Sequence, residues 1–179
     1  MTRIDLVDPD RITDQRAETL SEIKGAFGLV PNMFRAVANS PAALTSMWSQ
    51  FAALGTGTLG AKLGEQIAVA IADRNRCDYC LSAHTMLGKK AGATAEEMTT
   101  AQTGHSTDPR TDAVLKLATA LVDHRGQLGD TDLQSARDAG LTQEEIVETV
   151  AHVALNVFTN YINVALEVPV DFKRIPLTR

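Results

Sequence analysis

The stretch EQIAVAIADRNRCDYCLSAH, residues 65–84, contains both cysteines of this 179-residue chain. Cys77 and Cys80 form a C-x-x-C, and His84 follows Cys80 by four residues, so the three side chains project from nearly one face of a helix. Glu65 lies roughly three helical turns before Cys77 and is predicted to belong to the preceding helix. The stretch therefore predicts two consecutive helices that share one chemical centre.

The remaining sequence shows helical spacing of apolar residues and helix-boundary signals, but no sustained alternation of period two. We predict an extended arm over residues 1–13 and no strands. Helices are predicted over residues 14–27, 31–38, 41–54, 60–72, 77–90, 94–102, 110–124, 131–139 and 142–166. Ser40, Thr94 and Thr142 are expected to cap three of these helices. The predicted fold class is all-α, a bundle of roughly seven to nine helices.

Length and composition indicate one ordinary globular domain over residues 1–179. Charged residues make up 22% of the chain, and the net charge of -5 with scattered basic residues makes a nucleic-acid partner unexpected. The N-terminus lacks the apolar core of a secretory signal, and no apolar run suits a membrane span. We expect a cytoplasmic location, where disulfides are usually transient and catalytic.

The cysteine pair indicates redox chemistry. A thiol reacts as its thiolate, which the first turn of a helix stabilises, and C-x-x-C spacing lets one thiol resolve a sulfenic acid on the other. His84 is a candidate general base, with Glu65 as its orienter. Two alternatives remain: core cysteines beside an incidental surface histidine and glutamate, or a zinc site. The zinc site would lack the turn that usually spreads tetrahedral ligands.

A polar stripe lies on the predicted final helix, at positions within about 80° of one another. Its members are Glu148, His152, Asn156, Thr159 and Asn163. The stripe could line the active-site cavity, form a subunit interface or be a solvated face. His105 and His124 fall in predicted loops and are expected to be solvated. No nucleotide-binding or hydrolase motif occurs, so no cofactor is expected.

The combination of Glu65, eleven intervening residues and CDYCLSAH at residues 77–84 resembles the signature of the alkyl hydroperoxidase D-like (AhpD-like) branch of the carboxymuconolactone decarboxylase superfamily. The segment FGLVPN at residues 27–32, followed by the Ser40-Pro41 helix start, is similar to that group's N-terminal region. The resemblance implies an all-helical homo-oligomer, a trimer or hexamer, that reduces peroxides with a dithiol reductant. It implies that Cys80 is the peroxidatic cysteine, that Cys77 resolves, and that Glu65 and His84 relay protons.

One position departs from that pattern. Some relatives carry a histidine immediately before the second cysteine, where this chain has Tyr79, a poor base near neutral pH. The proton relay is therefore expected to be shorter. Tyr79, His152 and Asn156 are candidates for supporting the site. Alternative functions are a general dithiol-disulfide oxidoreductase, a lactone decarboxylase, and a redox-sensing or zinc-binding module without turnover.

Overall fold

The computed structural model describes residues 2–178 and contains helices but no strand within that range. A short 3-10 turn, Pro9–Arg11, precedes nine α-helices. These are α1 Arg16–Phe27, α2 Asn32–Val37, α3 Pro41–Leu54, α4 Gly60–Arg74, α5 Asp78–Lys90, α6 Ala95–Gln102, α7 Pro109–Asp123, α8 Asp130–Asp138 and α9 Gln143–Ala165. The predicted all-α architecture is confirmed.

Helix starts follow the local sequence closely. The Ser40 hydroxyl accepts a hydrogen bond from the Ala43 amide, at 3.2 Å, ahead of Pro41 at the first helical position. Thr94 and Thr142 each begin a complete capping box, in which side chain and backbone bond reciprocally with the glutamate three residues on. Because each of these signals spans only four residues, the sequence was sufficient to place these three boundaries.

Helix α4 is the centre of the molecule. It packs against α5, α6, α7 and α9, and an unbroken run from Gln66 to Asp73 is buried. A helix that is apolar nearly all round needs neighbours on every side, and these four helices supply them. The turn after α4 returns the chain antiparallel alongside it as α5. This hairpin brings Glu65 of α4 beside His84 of α5.

The predicted end of helix α4 at residue 72 is two residues too early. Asp73 lies inside α4 and is 1% exposed, and its Oδ1 accepts hydrogen bonds from the Gln102 side chain and the Thr178 amide, at 2.8 and 2.9 Å. These long-range partners allow the carboxylate to be buried. The helix therefore continues to Arg74, and the chain reverses at Arg76, whose φ is 57°.

Both ends of the chain pack as irregular segments against the helices. The N-terminal arm is extended apart from its 3-10 turn, and its Val7 amide donates to the Arg35 carbonyl at 3.1 Å. After α9, residues 169–178, here called the C-terminal segment, run without helix or strand alongside α5. Within residues 2–178, no helix has the length and apolar character needed to cross a membrane.

Candidate functional site

Cys77 is the residue immediately before α5 rather than part of its first turn. Its backbone is extended, and its sulfur accepts a hydrogen bond from the Cys80 amide at 3.2 Å. Cys77 and Cys80 form a disulfide, with 0% and 2% of their surfaces exposed. The Cys80 amide at the helix start therefore points at the Cys77 sulfur, which favours a thiolate there once the bond is reduced.

Cys80 has a second polar neighbour from far along the chain. The side-chain amide of Asn163, on α9, donates to the Cys80 sulfur at 3.2 Å. The carbonyl oxygen of the same amide is buried and has no hydrogen-bond partner among the described residues. An amide donor at this distance stabilises negative charge on sulfur. Asn163 is therefore part of the site, although its position on the polar stripe was the only sequence signal for it.

His84 and Glu65 form a direct pair. His84 Nδ1 and Glu65 Oε2 are 2.7 Å apart, and the two side chains are only 12% and 23% exposed. Close helix packing makes this contact possible: a Cβ on Gly88 would lie 3.3 Å from the Glu65 Cβ. The interpretation of these two residues as incidental surface groups is wrong. The pairing leaves His84 Nε2 available for proton exchange elsewhere.

Two cavities meet at His84. The first, of about 40 Å³, contains Cys80 and His84 in its wall and is otherwise mainly apolar. Its aromatic members are Phe27, Phe34, Phe51, Tyr79 and Phe172. The second cavity, of about 150 Å³, is lined by Glu65, His84, His152 and Asn156 together with apolar residues. His84 therefore lines both the cavity that contains Cys80 and a more polar one.

The polar stripe of α9 is buried rather than solvated, so its interpretation as a solvated face is wrong. Glu148 and His152 are 10% and 12% exposed at their side chains, and Asn156, Thr159 and Asn163 are at most 5% exposed. The Glu148 carboxylate accepts hydrogen bonds from the amides of Thr58 and Leu59 and from the Thr58 hydroxyl, at 2.8 to 2.9 Å. The stripe thus fastens α9 to the start of α4 and reaches the cysteine site.

The titration of two stripe residues is shifted. Burial opposes the charge of Glu148, but the hydrogen bonds from Leu59 and Thr58 outweigh it and lower the Glu148 pKa below 4.5. Burial also lowers the pKa of His152 below 6.5, against the opposing attraction of Glu148 and Glu65. The Nε2 atom of His152 is buried without a hydrogen-bond partner among the described residues. His152 is thus a neutral imidazole at neutral pH, on the wall of the second cavity.

Tyr79 is fixed by its hydroxyl. The hydroxyl donates to Asp171 Oδ2 at 2.6 Å and accepts from the Met33 amide at 3.2 Å. Burial, reinforced by the bond to Asp171, raises the pKa of Tyr79 well above its usual value of 10. The phenol therefore stays protonated and is not a base. Sequence reasoning did not find Asp171 or the neighbouring Phe172, because nothing in the local pattern links the C-terminal segment to α5.

The remaining candidate residues lie apart from the cysteines. His105 and His124 are exposed, and His105 Nδ1 is 3.5 Å from Asp112 Oδ1. Among residues 2–178, no group of three or more histidine, cysteine, aspartate or glutamate side chains is placed to hold a metal ion.

Comparisons with known proteins relate the chain to a family. Residues 41–104 match the model of the carboxymuconolactone decarboxylase family, whereas no curated protein matches. An uncharacterised peroxidase-related protein from Silicibacter sp. TM1040 is 21% identical, with a TM-score of 0.82 over 94% of this chain and 91% of that one. The alkylhydroperoxidase AhpD core protein from Ralstonia eutropha JMP134 is also 21% identical, with a TM-score of 0.86 over 95% and 92%.

A debrominase in complex with 2,3,4-tribromopyrrole shares the fold as well, at 16% identity and a TM-score of 0.81 over 96% of this chain and 92% of that one. Identities this low establish the fold alone. The family match covers α3 to α6, which include Glu65, both cysteines and His84. The chain therefore matches the carboxymuconolactone decarboxylase family model over residues 41–104 and shares its fold with these peroxidase-related proteins, in agreement with the resemblance seen in its sequence.

Proposed function

We propose that the protein is a thiol-dependent peroxidase in which Cys80 attacks the peroxide. The observation that carries this proposal is the position of Cys80, whose sulfur borders a cavity, receives the Asn163 amide and shares the cavity wall with the Glu65–His84 pair. Cys77 is fully buried and does not line that cavity. Of the two sulfurs, Cys80 is therefore the one that a small molecule in the cavity would contact.

The first step would consume the peroxide. With the disulfide reduced, the Cys80 thiolate attacks the terminal oxygen of ROOH, the O–O bond breaks, and its electron pair leaves as RO⁻. His84, held at Nδ1 by Glu65, supplies a proton from Nε2, so that ROH departs. Cys80 is left as a sulfenic acid. The apolar wall of the cavity suits the organic part of a hydroperoxide.

The second step would restore the disulfide. The Cys77 sulfur attacks the Cys80 sulfur, an S–S bond forms, and the sulfenic oxygen leaves as water after taking a proton. A dithiol reductant then exchanges through a mixed disulfide, becomes oxidised itself and returns both cysteines to thiols. Over one cycle the peroxide receives two electrons and two protons from the dithiol.

The test is peroxide consumption with a small dithiol, comparing wild type with Cys80→Ser. We expect loss of turnover in Cys80→Ser, and a sulfenic acid on Cys80, captured with a 1,3-dione reagent and located by mass spectrometry, in Cys77→Ser. His84→Gln should slow the first step, whereas His124→Gln, a change at an exposed histidine, serves as the matched control. If the folded Cys80→Ser variant consumed peroxide as fast as wild type, the proposal would be wrong.

The cavity also favours a second candidate reaction, the reductive dehalogenation of a small aromatic compound. Its wall holds five aromatic side chains beside Cys80. The thiolate would take the halogen from carbon, His84 would protonate the carbon, and Cys77 would displace halide to give the same disulfide. Release of bromide from 2,3,4-tribromopyrrole by wild type but not by Cys80→Ser, without peroxide turnover, would favour this reaction over the first.

Three other functions have distinct signatures. A general dithiol-disulfide oxidoreductase would turn over disulfide substrates but not peroxide. A lactone decarboxylase would keep its activity in a variant that lacks both cysteines. A zinc-binding module would carry stoichiometric metal when freshly purified. The burial of both sulfurs argues against thiol–disulfide exchange with a large partner, because the attacking group must reach the sulfur.

We also propose that the chain forms a homo-oligomer through α9. This helix presents exposed apolar side chains, including Val147 at 67% and Tyr161 at 62% exposure. Large apolar side chains exposed along one helix suit contact with another protein. Light scattering after size-exclusion chromatography should give a multiple of the 19.2 kDa chain mass, and Val147→Glu should reduce it. A wild-type protein that runs as a monomer would refute this.

A further inference from the structure

The C-terminal segment forms part of the wall around the reacting sulfur. The ring of Phe172 lines the cavity that contains Cys80, and it packs edge-on against the Tyr79 ring with centroids 5.6 Å apart. Tyr79 itself precedes Cys80 in the chain. Removing or displacing Phe172 would therefore enlarge the space next to Cys80 without touching a helix.

The C-terminal segment belongs to no helix or sheet of the described residues 2–178. Hydrogen bonds that involve side chains hold it in place instead. The Asp171 carboxylate accepts hydrogen bonds from the Tyr79 hydroxyl at 2.6 Å and from the Asn32 backbone amide at 2.8 Å. The Ile175 amide donates to the Ser82 hydroxyl at 3.0 Å. Tyr79 and Ser82 flank Cys80 on the first turns of α5, so the segment is anchored on both sides of the sulfur.

Asp171 holds the chain next to Phe172 through two charge-assisted hydrogen bonds, which it accepts from the Tyr79 hydroxyl and the Asn32 backbone amide. The Asp171 carboxylate is exposed and the Tyr79 phenol is 3% exposed, and charge-assisted hydrogen bonds are stronger than neutral ones. The ion pair between Arg174 and Asp78, at 3.0 Å, is 71% and 44% exposed and contributes little. The position of Phe172 therefore depends mainly on Asp171, its neighbour in the chain.

We propose that the C-terminal segment limits the size of the molecules that reach Cys80, with Phe172 as the residue that sets the limit and Tyr79 and Asp171 as the residues that position it. Narrow groups, such as the terminal oxygen of an unbranched hydroperoxide or the thiol end of a small dithiol, reach the sulfur through the cavity of about 40 Å³. Bulkier ones do so only when the segment moves away. The proposal rests on the proposed function only in taking Cys80 as the reacting sulfur.

Tyr79 therefore positions the C-terminal segment and does not exchange protons. A histidine at this position could exchange protons near neutral pH, but the phenol cannot. Its ring instead supports Phe172, and its hydroxyl holds Asp171. Tyr79 links the cysteine turn to the C-terminal segment.

Thiol labelling tests the proposal without requiring any turnover. In a Cys77→Ser background Cys80 is the only thiol, and its reaction with N-ethylmaleimide and with a bulky fluorescein maleimide is followed by intact-protein mass spectrometry. The ratio of the two rates is the readout. The thiolate is the nucleophile that adds to both maleimides, so a change in thiolate fraction cancels in the ratio, whereas a change in access does not. The same ratio for the chain unfolded in guanidinium gives the unrestricted value.

We expect the folded Cys77→Ser protein to discriminate strongly against the bulky reagent, and Phe172→Ala to remove most of that discrimination. Tyr79→Phe and Asp171→Ala should each raise labelling by the bulky reagent about tenfold, the factor that corresponds to one charge-assisted hydrogen bond. Asp171→Asn, which keeps an acceptor oxygen, should restore much of the discrimination. Tyr161→Phe, at an exposed residue of α9 outside both the cavity wall and the C-terminal segment, should leave the ratio unchanged.

Two results would overturn the proposal. One is a folded Cys77→Ser protein whose rate ratio already equals that of the unfolded chain. The other is a ratio that stays the same in Phe172→Ala and Tyr79→Phe while circular dichroism shows both variants folded. If Phe172→Ala does not fold, Tyr79→Phe, which removes one oxygen atom and keeps the ring, decides the outcome alone. A failure of peroxide turnover leaves these ratios interpretable, so the two proposals fail independently.

Discussion

Replacing Glu148 with glutamine should destabilise the fold. The Glu148 carboxylate accepts three hydrogen bonds, from the Thr58 amide at 2.8 Å and from the Thr58 hydroxyl and Leu59 amide at 2.9 Å. Its side chain is 10% exposed, so water can replace those bonds only in part. Glutamine keeps the shape, but it loses the charge and turns an NH₂ group towards a donor.

The magnitude follows from the three bonds. A hydrogen bond to a charged group contributes about 1.5–3 kcal/mol, and at least one is lost while the others weaken. We therefore expect Glu148→Gln to lower the free energy of unfolding by about 2–4 kcal/mol. For a chain of this length that corresponds to a fall in Tm of about 5–12 °C. Glu144→Gln, at an exposed position four residues before Glu148 and outside the polar stripe, should cost less than about 1 kcal/mol.

Acid should remove the difference between wild type and Glu148→Gln. The folded-state pKa of Glu148 lies below its ordinary 4.5, so the carboxylate stabilises the fold fully above pH 4.5. That contribution is lost as the pH falls through the lower, folded-state pKa. Denaturant unfolding at several pH values between 7 and 3 measures the gap directly. A gap that stays constant across this range, or one no larger than that of Glu144→Gln, would refute the reasoning.

Two further substitutions test the packing and the caps. Gly88→Ala should destabilise by about 1–3 kcal/mol in thermal melts, because its Cβ would lie 2.5 Å from the Met98 side chain and 3.3 Å from the Glu65 Cβ. Gly25→Ala is the matched control. It should not destabilise, because nothing lies within 4 Å of its Cβ. Thr142→Ala removes the capping box at the start of α9 and should cost about 1 kcal/mol, with Thr142→Ser restoring most of it; an unchanged Tm in Thr142→Ala would contradict the capping role.

The parts of the site that could be predicted from sequence are those that neighbouring residues determine. Cys77, Cys80 and His84 lie within eight residues, so helical periodicity is enough to bring them together. The contact of Glu65 with His84 spans 19 residues, yet it follows from a single helical hairpin between α4 and α5. In both cases the residues are joined by a short stretch of chain whose helical geometry is readable from the sequence.

The parts that could not be predicted depend on contacts between distant segments. The hydrogen bond from Asn163 to Cys80 spans 83 residues, and the bond from Tyr79 to Asp171 spans 92. Periodicity placed Asn163 on a polar stripe, but it could not say whether that stripe met solvent, a partner or the cysteines. The C-terminal segment has no periodicity at all, so its place beside Cys80 depends on tertiary packing alone.

Tyr79 shows how such a distant contact changes the chemistry expected of a residue. From its type alone, a tyrosine next to the reacting cysteine is a weak base that can still donate a hydrogen bond to substrate. In the folded protein the Tyr79 hydroxyl already donates its hydrogen bond to Asp171, and its oxygen accepts one from the Met33 amide. The hydroxyl therefore has neither a free donor nor a free acceptor for a peroxide. In the proposed reaction, proton exchange at sulfur therefore falls to His84, positioned by Glu65, while Tyr79 affects access to Cys80 through Phe172.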